Sequence, residues 1–419
     1  MKTSGLHVLA FLGARHLEKT CYIWNDKEHP ANSAPLATTA FLTPARVSVF
    51  LTEEARQKTY PAFKGTFEHD FPGIKLNPVE IPSGRSEQEI WQLFSTMTET
   101  ILQAPEQHIV FDITHGFRSL PVLALLAAAY ARSAFDVHID AVLYGAFDAS
   151  KDNKTPMFDL SPMLTLLEWA AATDSFNRTG DSRYLSSLLQ QQQKALALRW
   201  QGQSEKLSQL SALGNLAAGM EKITQALRLI RPHKAMELAV NLPEYTEKAG
   251  PVLAEAAGAL PFTLLLDRVN STYAPLGLEG SDQNQKLALE KERLMIRWYA
   301  EREQWVQAAA LAREWLVSWV MAHLGITPET SSAERHRVEG FVNSEAEAYL
   351  QAKKEARPFT PIFLRDLPQV ETVLSLWKSF TEVRNDILHA GMRDEPGDPK
   401  SLIQQIETAL KRIEELPIP

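Results

Sequence analysis

The stretch Phe111-Asp112-Ile113-Thr114-His115-Gly116-Phe117-Arg118-Ser119-Leu120-Pro121 decides how the first part of this chain is read. The apolar run 108–113 reads as a buried parallel strand, and the Leu/Ala-rich run 120–131 reads as a helix laid across it. Between them stand Thr114, His115, Gly116, Arg118 and Ser119. Gly116 lets backbone N–H groups come close to a ligand. Ser119 suits the helix cap with Pro121 in the first turn, and that helix end carries partial positive charge. Arg118 adds a planar donor fork matched to phosphate. The pattern fits an anion-binding turn, and it equally fits a plain strand-to-helix connection that satisfies only its own backbone. The residues by themselves leave both readings open.

Outward from this stretch, strand-like runs at 6–12, 47–51, 74–81, 108–113 and 137–144 alternate with helical patterns at 86–102 and 120–133. That alternation predicts an α/β fold with a mostly parallel, helix-covered sheet. In a Rossmann-like order the first and fourth strands are neighbours at the switch point, where ligands bind beyond the strand ends, so Gly13 and Thr114 should meet there. The loop Ser83-Gly84-Arg85-Ser86 follows the third strand. Ser86 and Glu89 form a capping box, and Arg85 is either a second phosphate contact or a solvated arginine. No G-x-G-x-x-G follows the first strand, which disfavours a dinucleotide cofactor. Pieces 21–24 and 38–42 between the first two strands read as a β-hairpin insertion.

Beyond about residue 160 helical periodicity takes over, at 161–176, 182–200, 207–231, 283–324, 344–354 and 370–388. Breaks are expected near 178–181, 249–251, 273–280 and 357–361. The resulting division is 1–160, 161–282 and 283–419. With 419 residues, 45% hydrophobic and 22% charged, the chain has a globular composition large enough for two or three domains. A net charge of −8 argues against a broad surface for duplex DNA, while leaving room for a local RNA cleft. One cysteine, Cys21, permits no internal disulfide and fits a reducing cytoplasm. The apolar run 8–12 is too short for a signal segment and is followed at once by Arg15, His16, Glu18 and Lys19, so no membrane association is expected. The histidines lack metal-ligand spacing and no H-E-x-x-H occurs, so no metal site is expected.

The wording of 112–121, with Phe11-Leu12-Gly13 after the first strand and Tyr144-Gly145-Ala146 after a later one, resembles the CARF sensor domains of CRISPR-associated type III ancillary proteins. Within these, the chain resembles the group that joins a CARF domain to a C-terminal HEPN ribonuclease domain. That resemblance implies a CARF domain at 1–160, a helical connector at 161–282 and an all-α HEPN domain at 283–419. It implies an Arg-x4-6-His motif, which Arg384-Asn385-Asp386-Ile387-Leu388-His389 supplies. It also implies a cyclic oligoadenylate activator, with cyclic tetra-adenylate the expected ring, lined by Gly13, Arg85, Thr114, His115, Gly116, Arg118 and Ser119. The substrate so implied is single-stranded RNA, and the assembly a homodimer or an oligomer of dimers.

Metal-independent RNA cleavage needs a base for the ribose 2′-OH, an acid for the leaving oxygen and positive charge on the phosphorane-like transition state. Arg384 suits the charge, His389 the proton transfer, and Asn385 sits four residues before His389 on the same helix face. Arg384 and His389 point about 140° apart on an ideal helix. A two-fold dimer that pairs two copies of the motif meets this difficulty. Arg228 and His233 form a decoy with the same spacing, broken by Pro232. Trp298, Trp305, Trp315 and Trp319 recur at near-helical spacing and read as core or dimer packing before RNA stacking. The alternatives are a non-catalytic CARF regulator, or an effector whose CARF half also degrades its activator through Thr114, His115 or Ser119.

Overall fold

Strand β1 (Leu6–Leu12) is buried on both sides: Val8, Ala10 and Leu12 enter one core, while Leu9 and Phe11 enter another. Two-sided burial is what a helix-covered parallel strand requires. The computed structural model describes residues 5–15, 19–103, 108–116, 120–135, 137–255, 260–280, 284–326, 332–392 and 396–419. It divides into two units, Met1–Glu168 and Trp169–Pro419.

After β1 the first unit continues through β2 (Thr20–Trp24), β3 (Lys27–Ala31), α1 (Ala34–Leu42), β4 (Arg46–Leu51), α2 (Glu53–Lys58) and α3 (Tyr60–Asp70). Then come β5 (Lys75–Glu80), α4 (Glu87–Leu102), β6 (His108–Asp112), α5 (Leu120–Phe135), β7 (His138–Gly145) and β8 (Lys154–Asp159). One sheet runs in the order β3-β2-β8-β7-β6-β1-β4-β5. From β7 to β5 every pairing is parallel, whereas β7–β8 and β2–β3 are antiparallel. After the β2–β3 hairpin at the far edge, the chain passes to β4 and β5 on one side of β1 and then to β6 on the other. The switch point therefore falls between β1 and β6, the strands expected to be neighbours. Both outermost strands carry a proline, Pro30 in β3 and Pro78 in β5.

Part of the region between β1 and β4 differs from expectation. β2 does belong to a hairpin, but its partner is β3, joined through Asn25 and Asp26 with φ of 47° and 60°. Two left-handed residues in succession are what a tight hairpin turn demands. Residues 38–42 are helix, not strand. Helix α1 is buried on nearly every face, so its sequence shows no amphipathic period, and Pro35 in its first turn starts it.

The second unit is helical: α6 (Ser161–Thr179, which begins in the first unit), α7 (Arg183–Arg199), α8 (Ser204–Arg228), α9 (Pro232–Val240), α10 (Leu242–Ala254) and α11 (Leu260–Thr263). It ends with α12 (Leu266–Tyr273), α13 (Gln285–Ala300), α14 (Trp305–His323), α15 (Ser332–Lys354), α16 (Val370–Leu388) and α17 (Pro399–Glu414). The break expected at 249–251 is absent, because α10 carries Pro251 inside it. The single helix expected at 283–324 is two, parted at Glu303 with φ 55°. One hydrophobic cluster runs from Trp169 to Leu416 and includes Trp298, Trp315, Trp319 and Trp377. Each such indole contributes on the order of 4 kcal/mol by burial. The loop 355–369 is held by buried Glu345, whose Oε1 accepts N–H bonds from Ile362 (2.8 Å), Phe363 and Leu364 (3.3 Å).

Candidate functional site

Beyond the C-terminal ends of β1, β4 and β6 lies an open groove of about 830 Å³, lined by Gly13, Arg15, Asn32, Ser33, Thr52, Ser83, Arg85, His115 and Gly116 among others. A Cβ on Gly13 would sit 3.6 Å from the His115 carbonyl oxygen, so the loops after β1 and β6 touch at the switch point. At Gly116 a Cβ would stand 2.9 Å from that of Leu120, too close for any other residue without displacement. Four of the expected binding residues, Gly13, Arg85, His115 and Gly116, thus share one cavity. Thr114 faces elsewhere: its Oγ1 accepts the Gly145 N–H at 2.8 Å, tying β6 to β7. Arg118 and Ser119 lie outside the described residues.

Beneath the groove, Asp112 is fully buried at the end of β6. It accepts from Thr38 Oγ1 at 2.7 Å and from the Thr114 N–H at 3.1 Å. Burial raises its pKa, and those hydrogen bonds oppose the rise only in part. His115 is fixed from the other side, since its Nε2 accepts the Ala34 N–H at 2.9 Å and so caps α1. That bond places the ring proton on Nδ1. Desolvation lowers the His115 pKa to about 4, so the ring is a neutral donor at physiological pH. Arg85 is positioned by the turn that starts α4: its N–H donates to Glu89 at 2.9 Å, and Ser86 Oγ accepts the Glu89 N–H at 3.2 Å.

Arg384, Asn385 and His389 lie at the C-terminal end of α16, with His389 as the capping residue and its N–H on the Asn385 carbonyl at 3.0 Å. His389 is exposed, and Arg384 and Asn385 are half-buried. Asp386, facing inward, accepts the Gly397 N–H at 3.1 Å and anchors the chain after the helix. Leu388 and Met392 are exposed beside His389, 61% and 87% respectively, leaving an apolar rim around the motif. The decoy is split between two helices, with Arg228 ending α8 and His233 on α9 near buried Glu292, at 3.2 Å. Among the described residues, no three His, Cys, Asp or Glu side chains group closely enough to hold a metal ion.

Residues 7–148 match the family model described as the CARF domain of the CRISPR system endoribonuclease Csx1. Residues 165–275 match the second domain of CRISPR-associated protein MJ1674. The N-terminal unit is thus similar to a CARF domain, and both matched models describe CRISPR-associated proteins. The MJ1674 protein of Methanocaldococcus jannaschii is 27% identical over 154 residues, 36% of this chain and 23% of that relative, so the match spans about a quarter of the relative's length. A solved structure of Enterococcus italicus Csm6 bound to cyclic hexa-2′-fluoro-hexa-dAMP aligns with 98% of this chain and 93% of its own, at 11% identity and a TM-score of 0.45.

The CARF groove has a donor-rich lining. Glu54 is its carboxylate, and Lys58 at 2.7 Å neutralises it and lowers its pKa. Arg15 and Arg85 then set the sign of the field. Ser33 is buried at the start of α1 with an Oγ that has no partner among the described residues. Asn32, Ser33, Arg15 and Thr52 were not anticipated as site residues. Asn32-Ser33-Ala34-Pro35 carries the signal of a helix start, which the strand reading of 38–42 beside it obscures.

Proposed function

We propose that this chain binds a cyclic oligoadenylate in the CARF groove and in response cleaves single-stranded RNA, without a metal, at a site built from Arg384, Asn385 and His389. The observation that carries the proposal is the groove at the β1/β6 switch point. There a glycine floor, two arginines, a neutral imidazole N–H and a hydroxyl without a partner among the described residues line one cavity, the donor set a phosphodiester ring needs. The matched family model bears the name of an endoribonuclease, in keeping with the second half of the reading.

In the cleavage step Arg384 stabilises charge on the phosphorane and His389 transfers a proton between the 2′-oxygen and the leaving 5′-oxygen. Asn385 orients the phosphate or the imidazole. On ideal helix geometry the two main groups diverge, so the site needs a second copy across a two-fold axis, seated on the apolar rim of Leu388 and Met392. Activation follows if the ring binds the cleavage-competent dimer more tightly than the idle one.

The test is RNA cleavage in EDTA with cyclic tri-, tetra- and hexa-adenylate supplied separately, cyclic tetra-adenylate being the expected activator. Products should end in 2′,3′-cyclic phosphate or 3′-phosphate. No stimulation by any ring removes the sensor half of the reading, and uniform 3′-hydroxyl ends remove the Arg/His chemistry. The divergence of Arg384 and His389 supports a second reading, a non-catalytic CARF regulator, for which neither residue affects the output.

A further inference from the structure

On the oligoadenylate reading above, we infer that Glu54 selects adenine in the CARF groove, its carboxylate accepting a hydrogen bond from the 6-amino group of a base of the bound ring. The starting observation is a carboxylate that its surroundings do not call for. The described residues lining the groove include Arg15, Arg85 and His115, and Glu54 is the one acid among them. A ring of phosphodiesters is repelled by that charge. A carboxylate there serves only a hydrogen-bond donor on the ligand. Adenine offers one on its edge, the 6-amino group, since its ring nitrogens accept. A ribose hydroxyl is the other donor of such a ring.

The wall around Glu54 favours the base. Thr52, Glu54, Thr59, Ala62 and Phe63 bring one continuous stretch of chain, from the end of β4 through α2 into α3, to the groove. Ala62 and Phe63 give that stretch apolar surface, which suits a planar base better than a ribose hydroxyl or a phosphate. The stretch is also held in place: Thr59 Oγ1 donates to the Gly13 carbonyl at 2.8 Å, and Thr52 Oγ1 accepts the Ala55 N–H at 3.3 Å. On Glu54 itself, Oε1 accepts from Lys58 Nζ at 2.7 Å, while Oε2 has no hydrogen bond among the described residues. The side chain is 61% exposed, so a ligand can reach it. The Lys58 hydrogen bond and charge, with a smaller contribution from Arg85, hold the carboxyl below its ordinary pKa, so it is purely an acceptor at neutral pH. Lys58 is not among the groove-lining residues, and so offsets the charge without filling the cavity. The competing account is an i,i+4 pair that only steadies α2.

The two accounts differ in sign. By electrostatics alone, Glu54→Ala removes a negative charge from the groove and tightens a ring of phosphodiesters. With a base contact, the same variant weakens it. Cyclic tri-, tetra- and hexa-adenylate are titrated into the full chain by calorimetry, and the ring that binds is compared with the same ring built from purine riboside, which lacks only the 6-amino group. Wild type should bind the adenine ring about tenfold or more tighter than the purine ring, the scale of one charge-assisted hydrogen bond. Glu54→Ala should lose that preference and bind the adenine ring more weakly than wild type. Lys58→Ala, which breaks the pair but keeps the acceptor, should retain the preference. If Glu54→Ala does not fold, the wild-type comparison of the two rings decides, and equal affinity overturns the inference. Glu54→Ala that binds the adenine ring as tightly as wild type or tighter, or that keeps the preference over purine, overturns the inference and leaves ring binding by the groove intact. A wild type that binds none of the three adenylate rings overturns the oligoadenylate reading itself, and the role of Glu54 falls with it.

Discussion

Replacing His115 tests the groove most directly, because one imidazole there both caps a helix and faces the cavity. His115→Phe removes the acceptor at 2.9 Å from the Ala34 N–H and orphans that donor, which should cost about 1–3 kcal/mol at pH 7. His115→Gln offers an amide oxygen instead and should recover most of the loss. The two proteins then part company in acid. The folded wild-type ring titrates at about 4 against an ordinary 6.5, so at pH 7 it is neutral in both states and its contribution is intact. As pH falls below 6.5 the unfolded chain takes up a proton that the folded one refuses, and stability drains away until the folded pKa is reached. A gap of this size corresponds to about 3 kcal/mol. Asp112 is common to wild type and His115→Gln, so its own opposite shift cancels from the comparison. Urea unfolding of both full-length chains between pH 7.5 and 4, with an NMR titration of the His115 ring, measures the effect. A stability gap between the two chains that stays constant from pH 7 to pH 4 would refute the desolvated, neutral cap.

Three further outcomes are expected. His389→Ala should lower ring-stimulated RNA cleavage by 10²–10⁴-fold while leaving oligoadenylate binding in place, and His233→Ala should leave cleavage unchanged; product quantification by gel or mass spectrometry decides. Arg85→Ala should weaken oligoadenylate binding by about 1.5–3 kcal/mol per subunit in calorimetry, as should Arg118→Ala, with ligand-free basal cleavage retained. Asp112→Ala should lower the unfolding free energy measured in urea by about 1–3 kcal/mol, because the Thr114 N–H loses its buried acceptor. Asp112→Asn should cost less at pH 7, since the raised carboxyl pKa makes ionisation a burden in the folded state as pH climbs above its unfolded value.

The central sheet was legible because its strands announce themselves: continuous apolar runs such as residues 8–12 have few other uses in so short a span, and the loop at 114–116 follows another strand of the same sheet. Arg85 could be placed at the groove because Ser86 and Glu89 fix the helix start beside it. Helix α1 was not legible, since burial on all sides erases the period that marks a helix. Strand β8 was missed because Thr155, Pro156 and Met157 are flanked by charges and carry no long apolar run. Thr114 illustrates a different limit: its spacing placed it in the correct loop, but which way a side chain turns depends on an acceptor or donor supplied from elsewhere, here the Gly145 amide. The tautomer of His115 was likewise beyond sequence, because it is set by an N–H donated from 81 positions away, and its neutrality follows from desolvation that the fold supplies.

The prolines in the two outermost strands restrict how copies of this chain meet. A strand added beside β3 or β5 would find a missing donor at Pro30 or Pro78, and charged neighbours such as Lys27, Glu28, Lys75 and Glu80 would have to be stripped of water to let it in. Growth of the sheet from molecule to molecule is therefore discouraged at both margins. Pairing of two chains is left to side chains on helices and loops, where shape and charge can limit the assembly to a closed pair, whereas a backbone ladder would accept the next strand indefinitely.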